Sequence, residues 1–203
     1  MNIYYVIAKG FRKIFGRPAI NCSTMGIHTK IDVYSTLVNS SLGDYSYIGT
    51  NSTVLYAQIG KFCSISNYCA IGGGEHPIAW VSTSPVFNST KSILKYRLSN
   101  NSYDPFKKTV IGNDVWIGSH CLIRGGINIA DGAVVGMGSV VVHDIGPFEI
   151  WAGNPARFIR KRFSEDQIKQ IIELKWWDWD IDKLKNYSDS FNNINVFWER
   201  ING

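Results

Sequence analysis

The chain has 203 residues, of which 45% are hydrophobic and 18% charged, a composition that excludes intrinsic disorder, collagen and coiled coil and suits one domain with a short appendage. Its net charge of +5, from 21 Lys and Arg against 16 Asp and Glu, favours an anionic partner and leaves nucleic acid, acidic lipid and a phosphorylated cofactor open. No apolar run approaches the roughly 20 residues that cross a bilayer and no signal-peptide core opens the chain, so the expected compartment is the cytoplasm.

Residues 1–19 carry Lys9, Arg12, Lys13 and Arg17 among Ile3, Tyr4, Val6, Ile7, Phe11, Ile14 and Phe15, the pattern of an amphipathic basic helix. The expectation is a cap that covers the open edge of the strands that follow. Peripheral contact with the inner face of a membrane is the alternative.

From Ile20, steps of 5, 6 and 6 residues land on Met25, Ile31, Leu37, Leu42, Ile48, Val54, Ile59, Ile65 and Ile71. With roughly one residue in four aliphatic, such a run has a chance probability on the order of one in a million. The pattern resumes at Ile111 and continues in six-residue steps through Ile117, Ile123, Ile129, Val135 and Val141. Four residues after each of these lies a second row: Thr24, Thr29, Ser35, Ser41, Ser46, Ser52, Gln58, Cys63, Cys69, then Val115, Cys121, Ile127, Ala133 and Ser139. Nearly all are small or β-branched, and Gln58 is the misfit. A parallel β-helix with three short strands per 17-residue coil needs a large inward residue from each strand and a smaller one near each corner. Cys63, Cys69 and Cys121 are therefore expected inside as small hydrophobes. Gly43, Gly49, Gly60, Gly72, Gly112, Gly118 and Gly136 each follow a core aliphatic residue, where a corner can require a conformation strained for other residues.

Residues 72–109 interrupt the repeat with Pro77, Pro85, Pro105 and several aromatics, an excursion long enough to be a functional loop. Of the four histidines, His28, His76, His120 and His143, His76 stands at the mouth of this loop in Gly72-Gly73-Gly74-Glu75-His76-Pro77. Glycines there let backbone approach a ligand, and imidazole suits proton abstraction near neutrality. After Pro155, Ser164 and Gln167 form a capping box before Ile168, Ile171 and Ile172, and a second short helix is expected near residues 181–187. The predicted organisation is residues 1–19 as a helical cap, 20–157 as a β-helix with its insertion at 72–109, and 158–203 as a helical tail.

The repeat resembles the left-handed β-helix of hexapeptide-repeat acyltransferases. The hand comes from that resemblance, because the general crossover rule favours the right-handed sense. Four motifs narrow it: Gly74-Glu75-His76-Pro77 before Trp80-Val81-Ser82-Thr83-Ser84-Pro85, Asp114-Val115-Trp116-Ile117-Gly118, Ala152-Gly153-Asn154-Pro155-Ala156-Arg157, and Lys175-Trp176-Trp177-Asp178-Trp179. In this order they are similar to the xenobiotic acetyltransferase subgroup and to enzymes that O-acetylate bacterial polysaccharides.

The resemblance implies an all-β solenoid with a long inserted loop and a C-terminal α-helical extension. It implies acetyl-CoA as cosubstrate, His76 as general base, and direct transfer without an acyl-enzyme. Glu75 and Trp80 would face the acceptor, and either Glu75 or a backbone carbonyl would hold the imidazole tautomer. Trp116, Ser119, Met137, Val142 and His143 would line the cofactor path, although related enzymes often carry Lys where this chain has His143. Arg157 and Arg160 would reach the phosphates. Homotrimers with sites between subunits are expected, with no metal and no nucleic acid: no two histidines are five apart as in a zinc β-helix enzyme, and no patterned nucleic-acid reader is present. The expected acceptor is a carbohydrate hydroxyl. Streptogramin A, chloramphenicol and a nucleotide-linked amino sugar are the alternatives.

Overall fold

A computed structural model describes residues 7, 10–11, 14–88 and 94–203, and it forms a left-handed parallel β-helix followed by a helical unit. Three parallel faces wind around one core. The first face stacks β1 (Ala19–Asn21), β4 (Thr36–Val38), β7 (Thr53–Leu55), β10 (Ala70–Gly72), β13 (Leu122–Ile123) and β16 (Val140–Val141). The second stacks β2 (Thr24–Met25), β5 (Ser41–Leu42), β8 (Ala57–Ile59), β11 (Thr109–Ile111) and β14 (Asn128–Ile129). The third stacks β3 (Lys30–Ile31), β6 (Tyr47–Ile48), β9 (Ser64–Ile65), β12 (Trp116–Ile117) and β15 (Val134–Val135). It is closed by an antiparallel hairpin of β17 (Glu149–Gly153) and β18 (Ala156–Lys161). The register steps by 17 residues from Thr36 to Thr53 and by 18 from Leu122 to Val140.

The periodic aliphatic residues fill the core, with Leu37, Val54, Ile65, Ile117, Val135 and Val141 fully buried. The second row fills the corners where the step is six: Ser35, Ser46, Ser52, Cys63, Cys69, Cys121, Ala133 and Ser139 are all buried. Where the step is five, the expectation of an inward residue four positions on is corrected. Gln58 is exposed on β8, and buried Ala57 takes the inward place, as Ser40 does instead of Ser41 one coil earlier. A five-residue side brings the corner one position sooner, and strand alternation then turns the next side chain outward. Gln58 instead accepts a 2.7 Å hydrogen bond from Lys108 Nζ.

The repeat glycines are also required for a different reason. Gly43, Gly60, Gly112 and Gly118 do not have positive φ; a Cβ on Gly43 would lie 2.6 Å from the Gly60 backbone, and one on Gly118 2.6 Å from Met137 N. Coil-to-coil contact excludes a side chain there. The left-handed backbone falls on Tyr34, Asn51, Tyr68 and His120 along one edge, and on His28, Tyr45, Phe62 and Asp114 along another, with φ between 53° and 61°. Each such residue costs about 1–2 kcal/mol. Ring stacking offsets part of it: His28–Tyr45, Tyr45–Phe62 and Tyr68–His120 have centroids 5.2, 4.9 and 4.9 Å apart. Two of the four histidines are thus corner residues.

The compact unit containing the solenoid ends at Arg162, and the second unit spans Phe163–Gly203. This unit contains α1 (Glu165–Leu174), α2 (Ile181–Tyr187) and α3 (Ile194–Asn202). Ser164 caps α1 through the Gln167 backbone N–H, and the Gln167 side chain closes the capping box. Trp177 and Phe197 are its buried aromatics. At the other end of the chain Ile7, Gly10, Phe11, Ile14 and Phe15 are helical, whereas Lys9, Arg12 and Lys13, which belong to the expected cap, lie outside the described residues.

Candidate functional site

Two consecutive glycines turn the chain off the first face after β10: Gly72 and Gly73 have φ of 75° and 122°, open to glycine and strained for other residues. The returning strand closes a stem under the excursion. Gly74 bridges Phe106, Glu75 N–H donates to Pro105 O at 2.8 Å, and the Phe106 ring stacks on corner Tyr56 at 4.1 Å. Above the stem, Trp80 meets Tyr103 edge to face at 5.8 Å, and Ser84 caps a short 3₁₀ turn at Pro85–Phe87.

His76 lies above this stem. Its Nδ1 is 2.8 Å from Thr83 O, and because a carbonyl only accepts, Nδ1 carries a proton, so that the neutral ring has its lone pair on Nε2. Of the two partners expected for the imidazole, the backbone carbonyl is the one observed. Glu75 is engaged elsewhere, with Oε2 2.7 Å from Lys107 Nζ and Oε1 3.7 Å from Arg124 Nε. The Lys107 ammonium bonded to it, helped by Arg124, holds its carboxyl below the usual glutamate range.

Glu75, His76 and Trp80 share a cleft of about 610 Å³ with Pro77, Ile78, Ala79, Tyr103, Lys107 and Arg124. The expected acceptor-side residues are therefore together. Tyr103, one of the loop aromatics suited to a sugar, joins them, whereas Thr83, Lys107 and Arg124 were not foreseen. Thr83 acts through its backbone and leaves no mark in a sequence. Arg124 did leave one: it precedes Gly125-Gly126, where a Cβ on Gly125 would sit 3.0 Å from Gly73 O, so the glycine pair marks the close crossing of the stem.

The expected cofactor residues divide between edges of the prism. Val142 and His143 follow β16 on the edge that carries His76, with β10, β13 and β16 adjacent in the first face. Trp116, half exposed, points outward from the third face, and the pairs Trp116–Val134, Val134–Ile150 and Ile150–Arg160 continue its row. Three strand spacings put Trp116 and Arg160 about 14 Å apart along that outer face. Arg157 pairs with Ala152 on the same side of the hairpin; both arginines are exposed, with Arg157 Nη1 donating to Ala156 O at 3.0 Å and Arg160 Nη1 to Lys161 O at 2.9 Å. Ser119 and exposed Met137 occupy the next corner in adjacent coils, where Gly138 N–H donates to Ser119 O at 2.8 Å. A side of five or six residues separates this group from His76, on the order of 15–20 Å. Within one chain Trp116 is therefore on another face from the strand that leads to His76.

Asp114, from the same motif as Trp116, has a structural role. Its Oδ2 accepts from Arg162 Nη1 at 2.9 Å, and Arg162 also reaches Gly132 O and lies over the Phe148 ring. Among the described residues, no group of three or more His, Cys, Asp and Glu could hold a metal ion.

The family model "Bacterial transferase hexapeptide (six repeats)" matches residues 108–143. A chloramphenicol acetyltransferase of Agrobacterium fabrum is 45% identical over 130 residues, 63% of this chain and 62% of that protein, so this chain spans under two thirds of that relative's length. A probable macrolide acetyltransferase of Lysinibacillus sphaericus is 38% identical over 141 residues, covering 68% of this chain and 74% of the relative. Among solved structures, the N-acyltransferase AntD from Bacillus cereus in complex with dTDP and 3-hydroxybutyryl-CoA superposes with a TM-score of 0.58 at 19% identity, over 87% of this chain and 86% of that one. This last likeness concerns the fold.

Proposed function

The chain belongs to the hexapeptide-repeat acetyltransferases, and from that premise we propose that it transfers an acetyl group from acetyl-CoA to a hydroxyl held in the cleft beside His76. The observation that carries the mechanism is the Nδ1 contact to Thr83 O, which fixes the neutral imidazole in the tautomer a general base needs. Nε2 takes the acceptor proton as the hydroxyl oxygen attacks the thioester carbonyl. The C–S bond then breaks, the imidazolium returns its proton to the departing sulfur, and the products are an acetyl ester, CoA thiol and neutral His76. Direct transfer needs no acyl-enzyme, and none of the cleft residues is a Ser or Cys nucleophile.

Acetyl-CoA fits the outer row of the third face. Exposed Arg157 and Arg160 present guanidinium donors suited to phosphates, and Trp116 and Met137 provide apolar surface for the pantetheine arm, with the Ser119 hydroxyl as a polar contact. Because this row and His76 lie on different edges, the reading includes a homotrimer in which one subunit supplies the histidine and its neighbour the groove. Trp80, Tyr103, Lys107 and Arg124 give the cleft the mix of aromatic and polar groups that holds a sugar, so a carbohydrate hydroxyl is the proposed acceptor. A drug acceptor is the second reading, supported by the names of the Agrobacterium and Lysinibacillus relatives.

The test is release of free CoA from acetyl-CoA in the presence of sugars, nucleotide sugars, chloramphenicol and streptogramin A. Acceptor-dependent release that falls by about 10²- to 10⁴-fold in His76→Ala supports the mechanism, and full activity of that variant refutes it. Robust turnover of a drug with none of a sugar decides for the second reading.

A further inference from the structure

We infer that the N-terminal helix docks this protein on an anionic lipid surface. Ile7, Phe11, Ile14 and Phe15 are helical and 50%, 58%, 63% and 74% exposed, and the Phe11 and Phe15 rings stack at 5.8 Å. Their spacing of four, seven and eight residues from Ile7 places all four on one side of a helix. Isolated exposed apolar residues need no explanation; a row of four, two of them Phe, does.

The row is not used up by the solenoid. Buried Gly16 joins the helix directly to the first coil, its carbonyl accepting from Tyr34 N–H at 2.7 Å. In that coil Ile20, Met25 and Ile27 remain 45%, 40% and 60% exposed. A helix folded over the open end would hide both sets, and both stay accessible.

Charge selects the occupant. Before Asp32 the chain has no acidic residue, while Lys9, Arg12, Lys13, Arg17 and Lys30 are all basic. A second copy of this chain would bring the same positive segment against itself. An anionic bilayer accepts the apolar row at the level of its acyl chains and the cations at its headgroups, the two contributions that hold an interfacial helix. No helix among the described residues is long and apolar enough to cross a membrane, so this contact is peripheral.

The full chain should be sedimented with vesicles of phosphatidylcholine alone and of phosphatidylcholine with phosphatidylglycerol, alongside Phe11→Glu/Phe15→Glu. The expected result is at least about tenfold more binding to the anionic vesicles, weakened by about 0.5 M salt and lost in the variant. An unchanged thermal midpoint in the variant shows that its fold is intact; for a less disruptive check, Phe11→Ser/Phe15→Ser should bind weakly as well. Equal binding to both vesicles, no binding by the wild-type chain, or a variant that keeps binding overturns the proposal. So does loss of oligomeric mass in the variant without loss of vesicle binding, which would assign the row to a second copy.

Discussion

The interior corners of the prism use Ser and Cys for one task. Ser46 Oγ donates to Gly60 O at 2.8 Å and accepts from Cys63 N–H at 2.9 Å, and one coil on Cys63 Sγ lies 3.0 Å from Gly112 O. Ser35, Ser52 and Cys69 repeat the arrangement along another edge. The side chain is a small donor inside an apolar column, satisfying a carbonyl that the next coil leaves over. Burial pushes the Cys63 thiol up to about 12 and raises Cys69 and Cys121 as well. Reaction with iodoacetamide at pH 8 should therefore label Cys22, which is exposed, and spare the other three until the chain is unfolded. Cys63→Ser should cost less than about 1 kcal/mol, and Cys63→Leu about 1–3 kcal/mol through overpacking, as read from chemical denaturation. At His76 the relevant contact is to a backbone oxygen. Thr83→Ala should leave its activity within about twofold, because the Thr83 carbonyl survives the substitution.

At the scale of the element, the excursion is held to the coils at its base. Gly73, Gly74 and Glu75 leave the solenoid beside Phe106 and Lys107 returning to it, and Glu75 links Lys107 to Arg124 of the following coil. This argues for Glu75 as a positioning residue, although the sequence suggested an acceptor contact. Glu75→Gln keeps its size and loses the charge pair, so the stem should loosen. The expected effect is an acceptor KM raised about three- to tenfold with little change in the KM for acetyl-CoA. The sign with pH follows from the lowered carboxyl: the pair is fully formed above the usual glutamate range and is lost as pH falls through the still lower value in the folded chain. Wild type and Glu75→Gln should therefore differ by a constant factor from pH 6 to 8. A gap that opens within that window would assign the contact to another group. The Asp114–Arg162 pair is a second clasp, closing the last hairpin on the core; Arg162→Met should lower stability by about 1–2 kcal/mol in denaturant titration, the partial exposure of both side chains, 28% and 29%, keeping the cost below that of a fully buried pair.

For the whole molecule, the decisive feature is the division of the candidate site between edges of a rigid prism. His76 rises from the first face, whereas Trp116 and Arg160 share the outer row of the third. The solenoid cannot fold these together, because every strand except those at the ends of the three sheets is paired on both sides. A neighbouring subunit can. Co-expression of His76→Ala with Arg157→Glu/Arg160→Glu should restore acceptor-dependent acetyl transfer that neither variant has alone, since a mixed assembly contains an interface with both intact halves. Mixed assemblies verified by mass that remain inactive would place the whole site on one chain.

The spacing of Ile, Leu and Val determined the parallel β-helix, because three short sides must each bury one large residue and a 17-residue coil repeats that demand. The break at 72–109 likewise marked the excursion, and the Gly-Glu-His-Pro segment its catalytic candidate. These features are local or periodic, so a linear pattern carries them. What only the tertiary structure decided depends on which coil lies beside which: why Gln58 faces outward, why Gly43 and Gly118 need no positive φ, why Thr83 and not Glu75 holds His76, and why Trp116 is an edge away from that histidine. Each follows from contacts between coils or across the stem of the loop, and from the depth at which a corner turns the chain. Side-chain identities at fixed intervals specify the winding of the prism; the backbone atoms that meet across it set the tautomer of the histidine and the edge on which each half of the site is displayed.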